Sequence, residues 1–143
     1  MKYLLTAFLL ISPALRLFAA PFTGGLYEGK WRSPDGFQYR FVLDIDVSGR
    51  SVEGYFGWTL EKIPTGNSGY SDFQIGMSAV EFISGSVAGS KMNFTGIHRD
   101  DPFNVIALDS YQITFTEDYS SFTGKSGVPG AWTGSLEGRI AQL

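Results

Sequence analysis

Two acidic residues in this 143-residue chain fall where strand alternation would turn a carboxylate into apolar surroundings. In "ALDSYQITFT", residues 107 to 116, Ala107, Asp109, Tyr111, Ile113 and Phe115 share one face, because successive strand side chains point to opposite sides. In "AVEFISGSV", Glu81 stands between Ala79 and Ile83 in the same way. Burying a carboxylate is costly unless it is paired or hydrogen-bonded. Two readings therefore stand side by side: a buried ion pair or hydrogen-bond network at one end of the fold, or a polar anchor for a ligand. Glu137 and Arg139, near the C-terminus, raise the same question.

The remaining candidates for chemistry are weaker. His98, the single histidine, sits in "HRDDPF" beside Arg99, Asp100 and Asp101. A histidine near carboxylates has the makings of a general base or a metal ligand, but Arg-Asp-Asp-Pro is good turn chemistry, and a solvated loop fits it better. With no paired-histidine motif and no EF-hand spacing, neither a metal nor a cofactor is expected. Asp44 and Asp46 lie two apart, as a glycosidase pair would on one strand face. That face also carries Gln38 and Arg40 and opposes an apolar one, which marks it as solvated. "GSVAG" misplaces the serine of a nucleophile elbow. The absence of cysteine excludes thiol nucleophiles and thiolate metal sites. The balance favours a binding protein over an enzyme. "NFT" makes Asn93 a glycosylation sequon, relevant only in a eukaryotic secretory route.

The elements that must position these residues read as strands. "FQYRFVLDIDV", residues 37 to 47, alternates Phe37, Tyr39, Phe41, Leu43, Ile45 and Val47 with polar or charged neighbours and Val42. "SGRS" turns it into "VEGYFGWTL", residues 52 to 60, so that 37 to 60 form a hairpin. "SPDG" at 33 to 36 joins "LYEGKWR" to that hairpin. A Gly-, Ser- and Asn-rich loop follows over 64 to 77, a length at which loops often serve function. Five further short strands, "AVEFISGSV", "KMNFTGIH", "VIALDSYQITFT", "SSFTGKS" and "GAWTGSLEGRI", end in turn chemistry. Eight strands with mostly short connections predict an all-β fold, an eight-stranded antiparallel up-and-down β-barrel. Such an interior is just filled by side chains or holds one small ligand.

Glycine precedes an aromatic by two at Gly29–Trp31, Gly54–Phe56 and Gly130–Trp132, and Gly134 and Gly138 extend the last case. Small and large residues alternating on one face suit a tapering, curved sheet. Gly29, Trp31, Trp132 and Gly134 are accordingly expected to be structural, with the first and last strands adjacent and both indoles filling one end. Ligand contacts then belong to the opposite end: Tyr39, Phe56, Trp58, Asp109 and Tyr111, with the 64–77 loop as a lid.

The N-terminus sets the compartment. Lys2, the apolar run "YLLTAFLLI" and the small residues of "SPA" and "FAA" follow the order of a secretory signal peptide. A cut after Ala14 is open, and one after Ala19 or Ala20 is favoured. The expected organisation is a signal peptide over 1–20 and a single barrel domain over 21–143, secreted or periplasmic. Removing residues 1–20 takes Lys2 and Arg16 and leaves nine basic against fourteen acidic residues, a net charge of −5. That balance, without a basic cluster, argues against nucleic acid as a partner. No later stretch is apolar enough for a membrane helix, and oligomeric state is left open.

With these residues in view, "EGKW" resembles the glycine-x-tryptophan that opens lipocalins. "GKWRSPDGFQYRFVLDIDVSGRSVEGYF" is similar in rhythm to the first hairpin of avidin-like proteins. Both are calycin-type barrels, which implies the same fold. The likeness covers the first third of the chain. Avidins set several further tryptophans around biotin, for which this chain offers only Trp58 and Trp132 as possible counterparts, and lipocalins are longer and usually carry a disulfide. "EFISGSV", "GIHRDDPFNVIALDSY" and "GAWTGSLEG" instead resemble an uncharacterised barrel domain of bacterial proteins, which implies no activity. A fold is transferred, and no biotin site. Three functions follow in order: a barrel binding a small apolar or mixed-polarity molecule, a packed barrel docking a protein or glycan, and an enzyme on a hydrophobic substrate using Asp109, Tyr111 or His98. Interior volume decides between the first two, since a cavity of roughly 300 Å³ or more favours a ligand.

Overall fold

Alternating burial carries through eight strands: β1 (Gly24–Arg32), β2 (Gln38–Ser48), β3 (Ser51–Lys62), β4 (Ser78–Ala88), β5 (Lys91–Asp100), β6 (Ser110–Phe115), β7 (Ser121–Val128) and β8 (Ala131–Ile140). They belong to a computed structural model that describes residues 21–66 and 68–142. The expected signal peptide, residues 1–20, lies outside the described residues. Each strand pairs antiparallel with the next, and β1 pairs with β8 to close an up-and-down barrel. Trp31 stands opposite Leu136 and Tyr27 opposite Ile140 in that closing seam.

On β2 the pattern is as the sequence predicts: Tyr39, Phe41, Leu43, Ile45 and Val47 are buried, and Arg40, Val42, Asp46 and Ser48 are exposed. Asp44, half-buried, belongs to that outer row. Gly29 and Gly134 face inward, where a Cβ at the first would collide with the Glu137 carbonyl, and at the second with the Trp31 indole. Both positions admit a close approach that any side chain would block.

The two ends of the barrel differ. Residues 49–50, 89–90 and 116–120 make short connections at one end. There Phe22 stacks on Tyr119 with centroids 4.1 Å apart. The Tyr27 hydroxyl donates to the Tyr119 carbonyl at 2.7 Å. Phe115 and Phe122 lie 5.4 and 5.5 Å from the Tyr27 ring. The other end carries the connections 33–37, 63–77, 101–109 and 129–130, two of them, 63–77 and 101–109, longer than any at the first end.

Three β-bulges gather near that long-loop end. Register shifts between Gln38 and Tyr39, between Phe82 and Ile83, and between Ser126 and Gly127. The unpaired extra residues are Glu61, Ile97 and Thr133. An extra residue reverses the inward and outward phase of everything beyond it.

Several expectations change. β5 runs on to Asp100, so His98, Arg99 and Asp100 belong to a strand and not to a turn. β6 begins at Ser110, and residues 101–109 form an irregular segment. Glu137 and Arg139 face outward, paired with Arg32 at 3.0 Å and Glu28 at 3.6 Å across the β1–β8 seam.

Candidate functional site

The Glu81 carboxylate lies inside the barrel with 0% exposure. β4 turns it inward between Ala79 and Ile83. Trp58 Nε1 donates to its Oε1 at 3.0 Å, and the Tyr111 hydroxyl donates to the same oxygen at 2.7 Å. The Asp109 backbone N–H reaches its Oε2 at 3.4 Å. Burial pushes the Glu81 carboxyl up to about 7, against the downward pull of these hydrogen bonds. Burial and the neighbouring Glu81 hold the Tyr111 phenol well above its usual range. Phe56 underlies this layer, stacked on Trp58 at 4.4 Å and 5.1 Å from Tyr111. The layer is a hydrogen-bonded floor across the barrel.

Above the floor lies a cavity of about 470 Å³. Trp31 from β1, Tyr39 from β2, Trp58 from β3 and Tyr111 from β6 line its walls. Phe37, Tyr70 and Phe73 come from the connections. Tyr70 meets Phe37 edge-on at 4.8 Å and Phe73 at 5.1 Å. The 63–77 loop is tied to β3 where Leu60 N–H donates to Met77 at 2.9 Å and Gly76 N–H donates to Leu60 at 2.8 Å.

The segment 101–109 completes the wall. The Asp101 carboxylate is buried and accepts from the Val105 and Ile106 backbone N–H groups at 2.9 and 3.0 Å. Arg99 pairs with Asp101 at 3.4 Å and also donates to the Ile106 carbonyl. The Tyr39 hydroxyl donates to the Val105 carbonyl. Asp101 is thus a clamp for the segment rather than a solvated loop acid. Burial raises the Asp109 carboxyl above its ordinary range, partly offset by a hydrogen bond from Ser126. Trp31 Nε1 donates to that same Ser126 Oγ at 2.7 Å.

Of the residues singled out for ligand contact, Tyr39, Trp58, Asp109 and Tyr111 line the cavity. Phe56 does not, because Trp58 and Tyr111 cover it completely. Trp31, expected to plug the opposite end, lines this cavity instead. Trp132 fills no core: the Thr133 bulge reverses its phase, Thr133 joins the lining, and the Lys125 ammonium lies 4.8 Å over the Trp132 ring. The Ile97 bulge does the same on β5, turning Arg99 to the cavity and stacking His98 against the half-exposed Phe82 at 5.7 Å. His98 therefore faces outward, away from the barrel interior. Asn93 is exposed on β5. Among the described residues no cluster of three His, Cys, Asp or Glu side chains is placed to hold a metal.

Sequence reasoning missed Phe37, Tyr70, Phe73, Arg99 and Thr133 as lining residues. Aromatics in the 64–77 loop were a usable signal for two of them. A second concavity, of about 730 Å³, lies on the outer wall over Glu28, Lys30, Arg32, Arg40, Glu137 and Arg139. Its solvated ion pairs make it the poorer container for a small molecule.

No family profile matches the chain, and no curated protein matches it. Among solved structures it is similar to a de novo designed fluorescence-activating β-barrel, with a TM-score of 0.53 and 17% identity, over 82% of this chain and 92% of that one. At that identity the likeness speaks to the fold, an eight-stranded barrel.

Proposed function

We propose that this protein is an exported, calycin-type barrel, lipocalin- or avidin-like, that binds a small molecule of mixed polarity in its long-loop end. The observation that carries this is the cavity of about 470 Å³ above the Glu81 floor. Its volume falls within the range of small-molecule sites, about 300–1,000 Å³, and its lining is mostly aromatic with a few polar groups. A barrel packed solid for docking a protein or glycan would have no such space. An enzyme is less well supported, since the Tyr111 hydroxyl is engaged by Glu81 and His98 lies on the outer face. Export rests on the signal-like sequence of residues 1–20 and places the mature protein in the periplasm or outside the cell.

Native mass spectrometry of the exported protein tests the reading, with a co-purified molecule in one-to-one ratio as the expected result. Trp31 and Trp58 in the lining supply a second readout by fluorescence. A protein that carries nothing, and whose fluorescence no small amphipathic compound changes, would overturn the binding function. Terminal sequencing of the exported product should find a start between Leu15 and Phe22, and Met1 would overturn export.

A further inference from the structure

We propose that the ligand is an organic cation, an amine or ammonium on an apolar body, with Asp109 as its counter-charge and the cavity aromatics as its cage. This rests on the binding function proposed above and names the chemistry of its ligand. Trp58 Nε1 and the Tyr111 hydroxyl are both given to Glu81. Trp31 Nε1 is given to Ser126, and the Tyr39 hydroxyl to the Val105 carbonyl. Four of the aromatic side chains that line the cavity therefore direct their polar hydrogens into the protein and offer the ligand their rings. Rings carry a negative face, which attracts cations and not anions.

The charges point the same way. Arg99, the basic side chain on the lining, is already held by Asp101 and the Ile106 carbonyl. Asp109 has no such partner: among the described residues no Lys, Arg or His forms an ion pair with it. Its carboxyl is half-buried on the cavity wall and held by Ser126. A carboxylate removed from water without a counter-ion is destabilised. A cationic ligand supplies that counter-ion in a container already lined with aromatic rings.

The test uses three probes of one shape: benzyltrimethylammonium, its uncharged carbon isostere neopentylbenzene, and the anion phenylmethanesulfonate. Binding to the full mature protein is followed by tryptophan fluorescence and by shifts of the aromatic proton resonances. The expected result is that the cation binds roughly tenfold or more tighter than the neutral isostere, as a cation over aromatic faces with a carboxylate nearby should. The anion is expected to bind weakest. In Asp109→Asn the cation should lose most of its advantage and keep only what the ring faces supply, while the affinity of the neutral probe stays unchanged. Equal binding of cation and isostere, or tighter binding of the anion, would overturn the cation assignment and leave a small-molecule site standing. A cation preference undiminished in Asp109→Asn would overturn the role of Asp109. Failure of all three probes would overturn the cation assignment, while the binding function is decided separately by the co-purified molecule. The wild-type comparison decides even if the variant does not fold.

Discussion

The tight-turn end and the long-loop end of this barrel are made from the same strands and behave as different materials. At the tight-turn end, two-residue turns at 49–50 and 89–90 join strands whose alternation is unbroken. Tyr27, Phe115, Phe122, Phe22 and Tyr119 meet across the axis, and the Tyr27 hydroxyl is satisfied by a backbone carbonyl. At the long-loop end three bulges interrupt the register, three carboxylates, Glu81, Asp101 and Asp109, are buried or half-buried, and a cavity remains. Stability concentrates where apolar rings fill space, and a site needs the opposite: room, polar groups, and less cohesion among its neighbours.

The contrast is broken most directly by emptying the packed end. Phe122→Ala removes a ring in contact with Tyr27, Phe41 and Phe115. It is expected to cost about 3–5 kcal/mol in urea unfolding, as buried aromatic truncations do. Ligand affinity of the folded fraction should not change. A loss of affinity equal to that of a cavity variant would mean that the two ends are one unit.

Next in size is the pH response of the floor. Glu81 is raised from an ordinary 4.5 to about 7. Between those values the folded protein keeps a proton that the unfolded chain gives up. Its contribution is therefore fully favourable below pH 4.5 and is lost as pH rises through 7. The loss amounts to about 3 kcal/mol for a group this buried. Glu81→Gln should flatten that decline, leaving the smaller one due to Asp109, which is raised in the same direction. Unfolding curves at stepped pH read this, and a wild-type stability that climbs from pH 5 to 7 would contradict a buried, proton-holding Glu81.

Truncating the lid sharpens the comparison from the other side. Tyr70→Ala with Phe73→Ala is expected to weaken ligand binding by about tenfold, near 1–2 kcal/mol as for contact aromatics at binding sites. Stability should change by less than the Phe122→Ala cost. Equal losses of stability would show the loop to be part of the core. The smallest effect belongs to the outer wall: Asp44→Ala should stay within about 0.5 kcal/mol of wild type by thermal unfolding.

Much of this fold was legible because strands read by period two, and the aromatics on β2, β3 and β6 kept that period to the cavity floor. Tyr39, Trp58 and Tyr111 were found in this way. Asp109 and Glu81 were flagged together and then divided by the structure. Glu81 became a network with no basic partner among the described residues, and Asp109 became a cavity wall. Trp132 went wrong through a bulge: plain alternation puts it with Gly134 and Leu136, and the extra residue at Thr133 reversed it. His98, read in a solvated turn, is exposed but belongs to strand β5. Tyr70 and Phe73 lay in a connection, where no periodicity states a direction, and Phe37, read on the inner face of the long strand, lies just before β2 begins.

By itself the sequence determined the all-β architecture, the eight strands and the inner face of each unbroken run, because burial of one face of a pleated strand is a local pattern. Closure of β1 on β8 was an inference from the need to leave no edge, and the pairing of Trp31 with Leu136 made it a fact of the structure. Which end is packed and which is hollow was decided only by the tertiary structure. Bulges and loop placement depend on how neighbouring strands meet, and a single strand's alternation carries no record of its partner's extra residue.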